Sequence, residues 1–352
     1  MNSRLAAILT ALAAAALFGA ATPVAKALLG SMSAFMVAGL FYLGSGLGLG
    51  VAIVARRLLA PTTEQRGQKI SKAEMPWLLG AIATGGVAGP ALLMLGLSST
   101  TAATSSLLLN LEGVLTAVIA WVVFRENVDS EIFVGMLAIV TGGVLLSWHS
   151  GNRGMSTGAL LIIGACLCWA IDNNLTRKVS ANDAMVIACL KGLIAGPVNL
   201  LMALALGAKF PAGPTIAAAM ATGLAGYGIS LVLFVVALRN LGSARTGAYF
   251  SVAPLFGVAL SLALWPELPT LSFWIAAALM AFGIWLHVRE RHEHIHTHER
   301  LEHVHRHRHD EHHRHEHDFP CAADESHSHP HVHLPITHSH AHFPDVHHRH
   351  SH

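Results

Sequence analysis

Three ionisable residues lie inside long apolar runs of this chain, where a charge is costly. Glu112 occurs in LLLNLEGVLT, Asp172 in CWAIDNNLTRK and Lys191 in MVIACLKGLIAG. An ionised side chain at the middle of a bilayer costs about 2.5–3.5 kcal/mol on insertion scales, so such a residue marks a functional site by default. Two carboxyl groups and an amine can bind a polar solute, carry a proton or pair with one another.

A second kind of chemistry is concentrated at the C-terminus, where residues 292–352 hold 23 of the 25 histidines. His-x-His in an extended chain places both rings on one side, and neutral imidazole suits Zn, Ni, Cu and Co. This tail is therefore predicted to bind such ions, whereas no cofactor is expected to be required. The predicted ligands are His303, His305, His307, His312, His313, His315, His317, His338, His340, His342, His347, His348, His350, His352, Asp310 and Asp345.

The tail is itself duplicated, because residues 292–317 match residues 327–352 without a gap. Eleven of the twelve histidines in the first copy fall on histidines of the second, while the residues between them vary. Imidazole number and spacing are therefore what the duplication preserves. With no hydrophobic core, the tail is predicted to be disordered without a ligand. A pH-sensitive polyelectrolyte is the alternative interpretation.

The composition is that of a membrane protein. The chain is 53% apolar and 12% charged, against about 25% charge in soluble domains, so the lipid bilayer is its expected surrounding. A net charge of +2 gives no reason to expect a nucleic-acid partner. The sequence shows neither a phosphate-binding glycine–lysine motif nor a nucleophile–base arrangement, so it is not predicted to be an enzyme.

Ten apolar runs are long enough to cross a hydrocarbon layer about 30 Å thick as helices. Lys and Arg are concentrated in the connections at 56–72, 125, 177–178 and 239–245, which the positive-inside rule assigns to the cytoplasm. An all-α membrane protein with both termini in the cytoplasm is therefore predicted, in a bacterial-type inner membrane. The predicted spans are 5–29, 33–55, 76–98, 101–124, 131–149, 157–177, 184–207, 215–238, 244–265 and 270–288.

The two halves of the apolar part resemble each other. TAATSSLLLNLEGVLTAVIAWVVFREN (101–127) aligns with GSARTGAYFSVAPLFGVALSLALWPEL (242–268), and residues 15–27 lie over 166–178. These alignments predict two five-helix repeats, 1–150 and 151–290, followed by a cytoplasmic tail, 291–352. Because five is odd, the second repeat must enter the membrane in the opposite sense, which is a transporter architecture.

The segments 96–146 and 238–286 each run from a small-residue helix through an inner acidic residue into a Gly-rich helix. In this layout the chain resembles the EamA domain of the drug/metabolite transporter superfamily. The resemblance implies a ten-helix secondary transporter of small organic molecules, often exported. The family commonly has a proline in the middle of the fourth helix of each unit. This chain has Pro254 there in the second copy but Gly113 in the first, and so departs from the family pattern.

Helix geometry groups the candidate substrate-binding residues. Glu112 lies eleven residues from Thr101, about 17 Å along a helix and thus near the midplane. Helical spacing puts Ser105 and Thr116 on its face. The other predicted site residues are Asp172, Asn173, Lys191 and Asn199.

Asp172 and Lys191 come to similar depth on adjacent helices and are predicted to form an ion pair. The alternative is that Lys191 extends to the inner surface. Gly196–Pro197 with Asn199 is predicted to interrupt the seventh span, and Pro90 the third, where freed carbonyl groups could line a cavity. The alternative is that both features are packing kinks.

The leading functional hypothesis is export of small polar metabolites or metal complexes, with Glu112 at the substrate site; the metabolite cargo is implied by the resemblance alone. The main alternative is a divalent-metal exporter that collects ions with its tail, and a third is a membrane-anchored metal sensor. A homodimer is left open.

Overall fold

The structure is a computed structural model of the whole chain, which forms two compact units, Met1–Glu290 and Arg291–His352. It describes residues 3–59, 71–124, 130–149, 154–176, 179, 183–241, 246, 249–266 and 269–289 of the first unit. In the second unit it describes 293–298, 301–307, 327–333 and 336–341. The basic connections at 60–70, 125–129, 177–178 and 242–245 lie outside the described residues.

The described residues of the first unit are helical, apart from one pair of two-residue strands. Its helices are α1 (Ser3–Leu28), α2 (Ala34–Leu59), α3 (Met75–Ala81), α4 (Gly89–Ser98), α5 (Ala102–Leu108), α6 (Leu111–Phe124), α7 (Ser130–Ser147), α8 (Thr157–Thr176), α9 (Ala184–Ala205), α10 (Gly213–Gly223), α11 (Ser230–Leu241), α12 (Ala253–Leu264) and α13 (Leu271–Arg289). Strands β1 (Trp148–His149) and β2 (Gly154–Met155) pair antiparallel between α7 and α8.

Among the described residues, eight apolar helical spans are long enough to cross a membrane. They are Leu5–Leu28, Ala34–Leu59, Met75–Ser98, Ala102–Val123, Ser130–Ser147, Thr157–Thr176, Ala184–Ala205 and Gly213–Ala237. They correspond to the first eight predicted spans. The last two predicted spans contain the shorter apolar helices Ala253–Leu264 and Leu271–Leu286.

The third span contains a π-helical segment, Ile82–Ala88, between α3 and α4. The backbone N–H of Gly89 donates to Thr84, five residues back, and Pro90 has no N–H to donate. The carbonyl groups of Gly85 and Gly86 therefore lose the partners that a regular helix would supply. The predicted break at Pro90 is thus a distortion of the turn that precedes it.

The eighth span contains a second π-helical segment, Leu224–Ile229, between α10 and α11. Here the backbone N–H of Ser230 donates to Ala225, again five residues back. The alignment that sets residue 101 opposite 242 also sets 83–88 opposite 224–229. The two sequence repeats therefore share the same local distortion at the same position.

The seventh span differs from the prediction. It is one continuous helix, α9, with Pro197 inside it, so the interruption predicted at Gly196–Pro197 is wrong, whereas a packing role for this segment stays open. A proline is tolerated within a membrane helix when a neighbouring helix supports the segment. Gly196 provides that support, because its missing side chain lets the backbone of Leu43 on α2 come close.

The second helices of the two repeats, α2 and α9, pack against each other along their length. Gly39 lies beside Leu200, and Gly46 lies beside Gly192. Residue numbers rise along α2 as they fall along α9, so the two helices run antiparallel. Small residues allow this close approach, as is typical of membrane helix pairs.

The fifth helices of the repeats, α7 and α13, form a similar pair. Gly142 lies beside Met280 and Gly283 beside Gly135, so this pair also runs antiparallel. Other contacts also join the two repeats: α1 packs against α11 and α12, while α8 packs against α4 and α6. The first helix of each repeat thus lies on the third and fourth spans of the other.

The C-terminal unit was predicted to be disordered, but its described residues form four strands. These are β3 (Glu293–His298), β4 (Leu301–His307), β5 (His327–His333) and β6 (Ile336–Ala341). β3 pairs with β6 and β4 with β5, both antiparallel, as two separate two-stranded ladders. The period-two alternation of His-x-His is compatible with strand geometry, which is why the same pattern that suggested chelation also permits strands.

Candidate functional site

The candidate site begins at a turn in the fourth span. Helix α5 ends at Leu108 and α6 starts at Leu111, so Glu112 lies in the first turn of α6. The N-terminus of a helix is its positive end, and a carboxylate is stabilised there. In the second repeat α12 also starts after a turn, at Ala253, the residue aligned with Glu112. The acidic residue is therefore present in only one of two equivalent helix starts.

Asn173 on α8 binds Glu112 from the other repeat. Its Nδ2 donates to Glu112 Oε1 at 3.0 Å and to Thr116 Oγ1 at 3.3 Å. Glu112 is half-buried, the Asn173 side chain is exposed, and a Cβ added to Gly113 would meet no atom within 4 Å. Glu112, Thr116 and Asn173 thus form a polar group at a contact between the repeats, beside open space.

The predicted ion pair between Asp172 and Lys191 is confirmed. Lys191 Nζ lies 2.5 Å from Asp172 Oδ1, and the two side chains are 16% and 11% exposed. Thr176 Oγ1 donates to the same carboxylate oxygen at 2.8 Å and accepts from Lys191 Nζ at 3.0 Å. The alternative, in which Lys191 extends to the surface, is wrong because its amine is held by these two partners.

The π-helical segment of the third span lies directly on this pair. A Cβ on Gly85 would overlap the Asp172 carboxylate, so only glycine fits there. The freed carbonyl oxygen of Gly85 accepts from Tyr42 Oη at 2.7 Å and from Trp169 Nε1 at 2.9 Å. Two side chains therefore replace the missing helical hydrogen bond.

Asn199 supports the neighbouring carbonyl group. It is fully buried, and its Nδ2 donates to Gly86 O at 3.1 Å and to Ala195 O at 3.0 Å. Its Oδ1 has no hydrogen-bond partner among the described residues. In this arrangement Asn199 holds the backbone of the third span against its own helix.

Ser105 does not join the group around Glu112. It is buried, and its hydroxyl donates to Thr101 O at 2.8 Å. The prediction that it shares a face with Glu112 assumed an unbroken helix, and the turn between α5 and α6 removes that relation. Thr116 lies four residues after Glu112 within α6 and therefore does share a face with it.

Sequence reasoning missed two polar residues of α8. Thr176 connects Asp172 with Lys191, and Asn174 Nδ2 donates to Thr116 O at 3.3 Å and to Ala170 O at 2.8 Å. The spacing of Thr176, four residues after Asp172, was a signal that could have identified it.

An aromatic cluster beside the third span was also missed. Tyr227 lies in the second π-helical segment. Its ring centroid is 6.1, 5.8 and 5.5 Å from those of Phe18, Phe41 and Tyr42, respectively. Tyr42 connects this cluster to Gly85 through its hydroxyl group. No spacing in the sequence indicated that these rings from distant segments would meet.

A second ion pair joins the repeats where α2 ends and α9 begins. Arg56 lies 2.8 Å from Asp183, which caps α9 by accepting from the backbone N–H of Met185 at 2.9 Å. Partial burial raises the pKa of Asp183, but the hydrogen bonds from Arg56 and Met185 outweigh it and hold the pKa below its ordinary value of 3.8.

The predicted metal ligands are divided between described and undescribed residues. His303, His305, His307, His338 and His340 lie in strands of the second unit. Outside the described residues lie His312, His313, His315, His317, His342, His347, His348, His350, His352, Asp310 and Asp345. Among the side chains that the structure describes, no group of three or more His, Cys, Asp or Glu could hold a metal ion.

We expect Lys191→Met to destabilise the protein by roughly 3–5 kcal/mol, because it leaves the Asp172 carboxylate buried without its cation. The double variant Asp172→Asn/Lys191→Met should recover most of that loss. Thermal unfolding of the purified protein in detergent measures both. Lys209→Met, at an exposed position, is the matched control, and a single variant as stable as the parent would contradict the expectation.

Asp183→Asn tests the second ion pair, since asparagine can still cap α9 but carries no charge. Because the folded pKa of Asp183 lies below its ordinary value, its stabilisation is complete above about pH 4 and is lost as pH falls through the folded pKa. With both side chains partly exposed, solvent screening limits the effect at pH 7 to about 0.5 kcal/mol. Unfolding midpoints of the two proteins should converge as the pH falls below the folded pKa of Asp183; a constant difference would refute the assignment.

Curated relatives of this chain share only modest identity with it. An "Uncharacterized transporter" of Methanothermobacter thermautotrophicus is 28% identical over 208 residues, covering 57% of this chain and 60% of the relative. YedA of Escherichia coli K12, an "Uncharacterized inner membrane transporter", is 26% identical over 152 residues, covering 42% and 50%. YyaM of Bacillus subtilis, an "Uncharacterized transporter", is 22% identical over 210 residues, covering 55% and 67%. The chain thus spans between half and two thirds of these proteins.

A solved structure titled only "Crystal structure of protein" has the same fold. Its TM-score is 0.58 at 18% identity, and the match covers 80% of this chain and 95% of that one. The EamA-like transporter family matches residues 5–148 and again 156–289, which are the two halves related by the internal alignments. Since these matches cover more than half of the sequence, the chain belongs to the EamA-like transporter family, with two copies of its domain in tandem.

Proposed function

We propose that this protein is a secondary transporter that moves small polar organic solutes out of the cell across the inner membrane. The observation that carries the proposal is the hydrogen bond from Asn173 to Glu112, which joins α8 of one repeat to α6 of the other. A polar group between two repeats is where a transporter of this architecture binds its cargo. The outward direction rests on the family resemblance alone.

The proposed mechanism is alternating access between two inverted repeats. Five crossings in each repeat would give ten spans, an opposite insertion of the second repeat and both termini in the cytoplasm. The antiparallel pairing of α2 with α9 and of α7 with α13 supports this, because equivalent helices related by an in-plane twofold axis run in opposite directions. Rocking of one repeat against the other would expose the site to each side in turn.

Each polar residue has a proposed role. Glu112 accepts hydrogen bonds or a positive group from the cargo, and Thr116 and Asn173 orient it. Cargo that binds Glu112 competes with Asn173, so loading the site would loosen one contact between the repeats. Asp172 with Lys191 forms a second polar site or gate one residue away on α8. Asn199 and Ser105 serve the helices that carry the site rather than the cargo.

Energy for transport is proposed to come from an ion gradient. Glu112 is the group best placed to exchange a proton, because it is half-buried and adjoins open space. When no cargo is bound, protonation removes the negative charge of Glu112, which would be costly within a membrane. Glu112 would then bind a proton in one half of the transport cycle and a cationic cargo in the other.

The tail is proposed to bind Ni, Co, Zn or Cu ions and to act as a cytoplasmic appendage of the transporter. The alternative of a metal exporter is not favoured. In the described part of the membrane unit, His, Cys, Asp and Glu side chains do not form a group of three or more that could hold a metal ion.

Replacing the carboxyl group of Glu112 should strongly slow transport. We expect Glu112→Gln to lower the rate at least tenfold in everted membrane vesicles supplied with a panel of labelled amino acids, since a hydrogen bond to a charged group contributes about 1.5–3 kcal/mol. Glu131→Gln, an exposed position in the first turn of α7, is the matched control. Equal rates in both variants would exclude Glu112 from the cargo site.

Water must reach position 112 if the proposal holds, and this can be measured without knowing the cargo. In a variant without native cysteines, Glu112→Cys should react with a membrane-impermeant, water-soluble maleimide. Leu137→Cys is the control, because Leu137 is exposed and lies near the middle of the span Ser130–Ser147, as Glu112 does in the span Ala102–Val123. It should stay unreacted because lipid surrounds it. Labelling of both positions or of neither would contradict a water-filled site at Glu112.

A further inference from the structure

We infer that the two histidine-rich copies of the tail bind divalent metal ions between them, each ion held by histidines of both copies. This inference rests on the proposed metal binding of the tail and specifies its sites. It predicts two equivalent four-histidine sites: His303, His305, His329 and His331 in one, and His294, His296, His338 and His340 in the other.

The first observation is the register of the ladder between β4 and β5. His303 is paired with His331, and His305 with His329. The pairing continues to His307 and His327 at the end of the ladder. β4 belongs to the first copy of the tail repeat and β5 to the second, so this ladder joins the copies.

The second observation is that the other ladder repeats the arrangement. In the pairing of β3 with β6, His294 lies opposite His340 and His296 opposite His338. Again one strand comes from each copy. Antiparallel pairing of a tandem repeat puts the first strand of each copy against the second strand of the other.

The third observation connects the ladders through the sequence alone. The alignment that sets residue 292 opposite 327 takes His294 and His296 to His329 and His331. It also takes His303 and His305 to His338 and His340. The duplication therefore converts one four-histidine set into the other. Two features that do not depend on each other, the repeat and the strand register, select the same residues.

The geometry of an antiparallel ladder suits such a site. Directly opposed residues have Cα atoms about 4.5–5.5 Å apart, and residues two apart in a strand lie on the same face. Two successive opposed pairs thus place four histidines at register positions on one face of two strands. Zinc takes four ligands tetrahedrally at about 2.0–2.1 Å from histidine nitrogen, and Ni, Co and Cu also accept imidazole.

Metal binding would also stabilise the two ladders of the tail. An isolated two-stranded ladder is marginal in water, and these strands are largely polar, so the ions would stabilise the pairing that forms their own sites. Because the ligands must be neutral imidazoles, binding should weaken as pH falls below about 6.5. Metal-free and metal-bound tails would then differ in how closely the two copies are held.

The test counts tightly bound Zn²⁺ on the full-length protein in detergent, with a chelator that strips ions from weaker sites. The parent protein should retain two ions more than a variant that lacks residues 292–352. His303→Ala/His305→Ala should lose one ion, and so should His329→Ala/His331→Ala. Because both pairs bind the same ion, a four-fold variant that combines all of these substitutions should still lose only one ion.

Two controls make the result specific to the register. Adding His338→Ala/His340→Ala to His303→Ala/His305→Ala should remove both ions, since these pairs lie in different ladders. Thr297→Ala/Thr337→Ala changes an opposed pair that is not histidine and should retain both.

Other outcomes separate the hypotheses. If the four-fold variant loses two ions, each copy binds its own metal and the inference is wrong. If His303→Ala/His305→Ala loses none, these residues are not ligands and it is equally wrong. If the parent binds no more Zn²⁺ than the truncated protein, metal binding by the tail fails as well, whereas the transport proposal is judged separately by Glu112→Gln.

Discussion

In hydrocarbon, every charge and every peptide group must find its partner within the protein, and the described membrane unit depends on this constraint. The ion pair of Asp172 and Lys191 satisfies this constraint, since each charge would be costly alone and Thr176 hydrogen-bonds to both side chains. The same constraint acts on Gly85, whose carbonyl group is released by the π-helical turn and accepts from Tyr42 and Trp169. Polar partners from three helices are thereby drawn to one region.

Helix α8 is the element on which these contacts meet. Successive residues of a helix point in different directions, so Asp172 binds Lys191 on α9, whereas Asn173 and Asn174 reach α6. Two of the three contacts cross between repeats and one stays within the second repeat. A relative movement of the repeats changes the contacts of Asn173 and Asn174 with α6 directly, whereas the ion pair joins two helices of the same repeat. This difference fits a cargo site at Glu112 and a structural or gating role for Asp172.

The tandem repeat explains both the symmetry of the fold and its departure from symmetry. Equivalent helices pack antiparallel through glycines, and both third spans contain a π-helical turn at the aligned position. The carboxyl group is not duplicated, because Ala253 stands where the first repeat has Glu112. The tail is duplicated separately, and there the repeat preserves histidines rather than helix contacts.

The sequence by itself determined the membrane composition, the first eight spans, the repeat and the pairing of Asp172 with Lys191. These follow from local composition, from helix length and from the cost of a lone charge in lipid, none of which needs coordinates. Tertiary structure decided what depends on the path of the backbone: the turn at 109–110 separates Ser105 from Glu112, and the support of α2 keeps α9 helical through Pro197. It also decided that Asn173 would reach Glu112, because that contact joins residues 61 positions apart on helices whose packing no local pattern encodes.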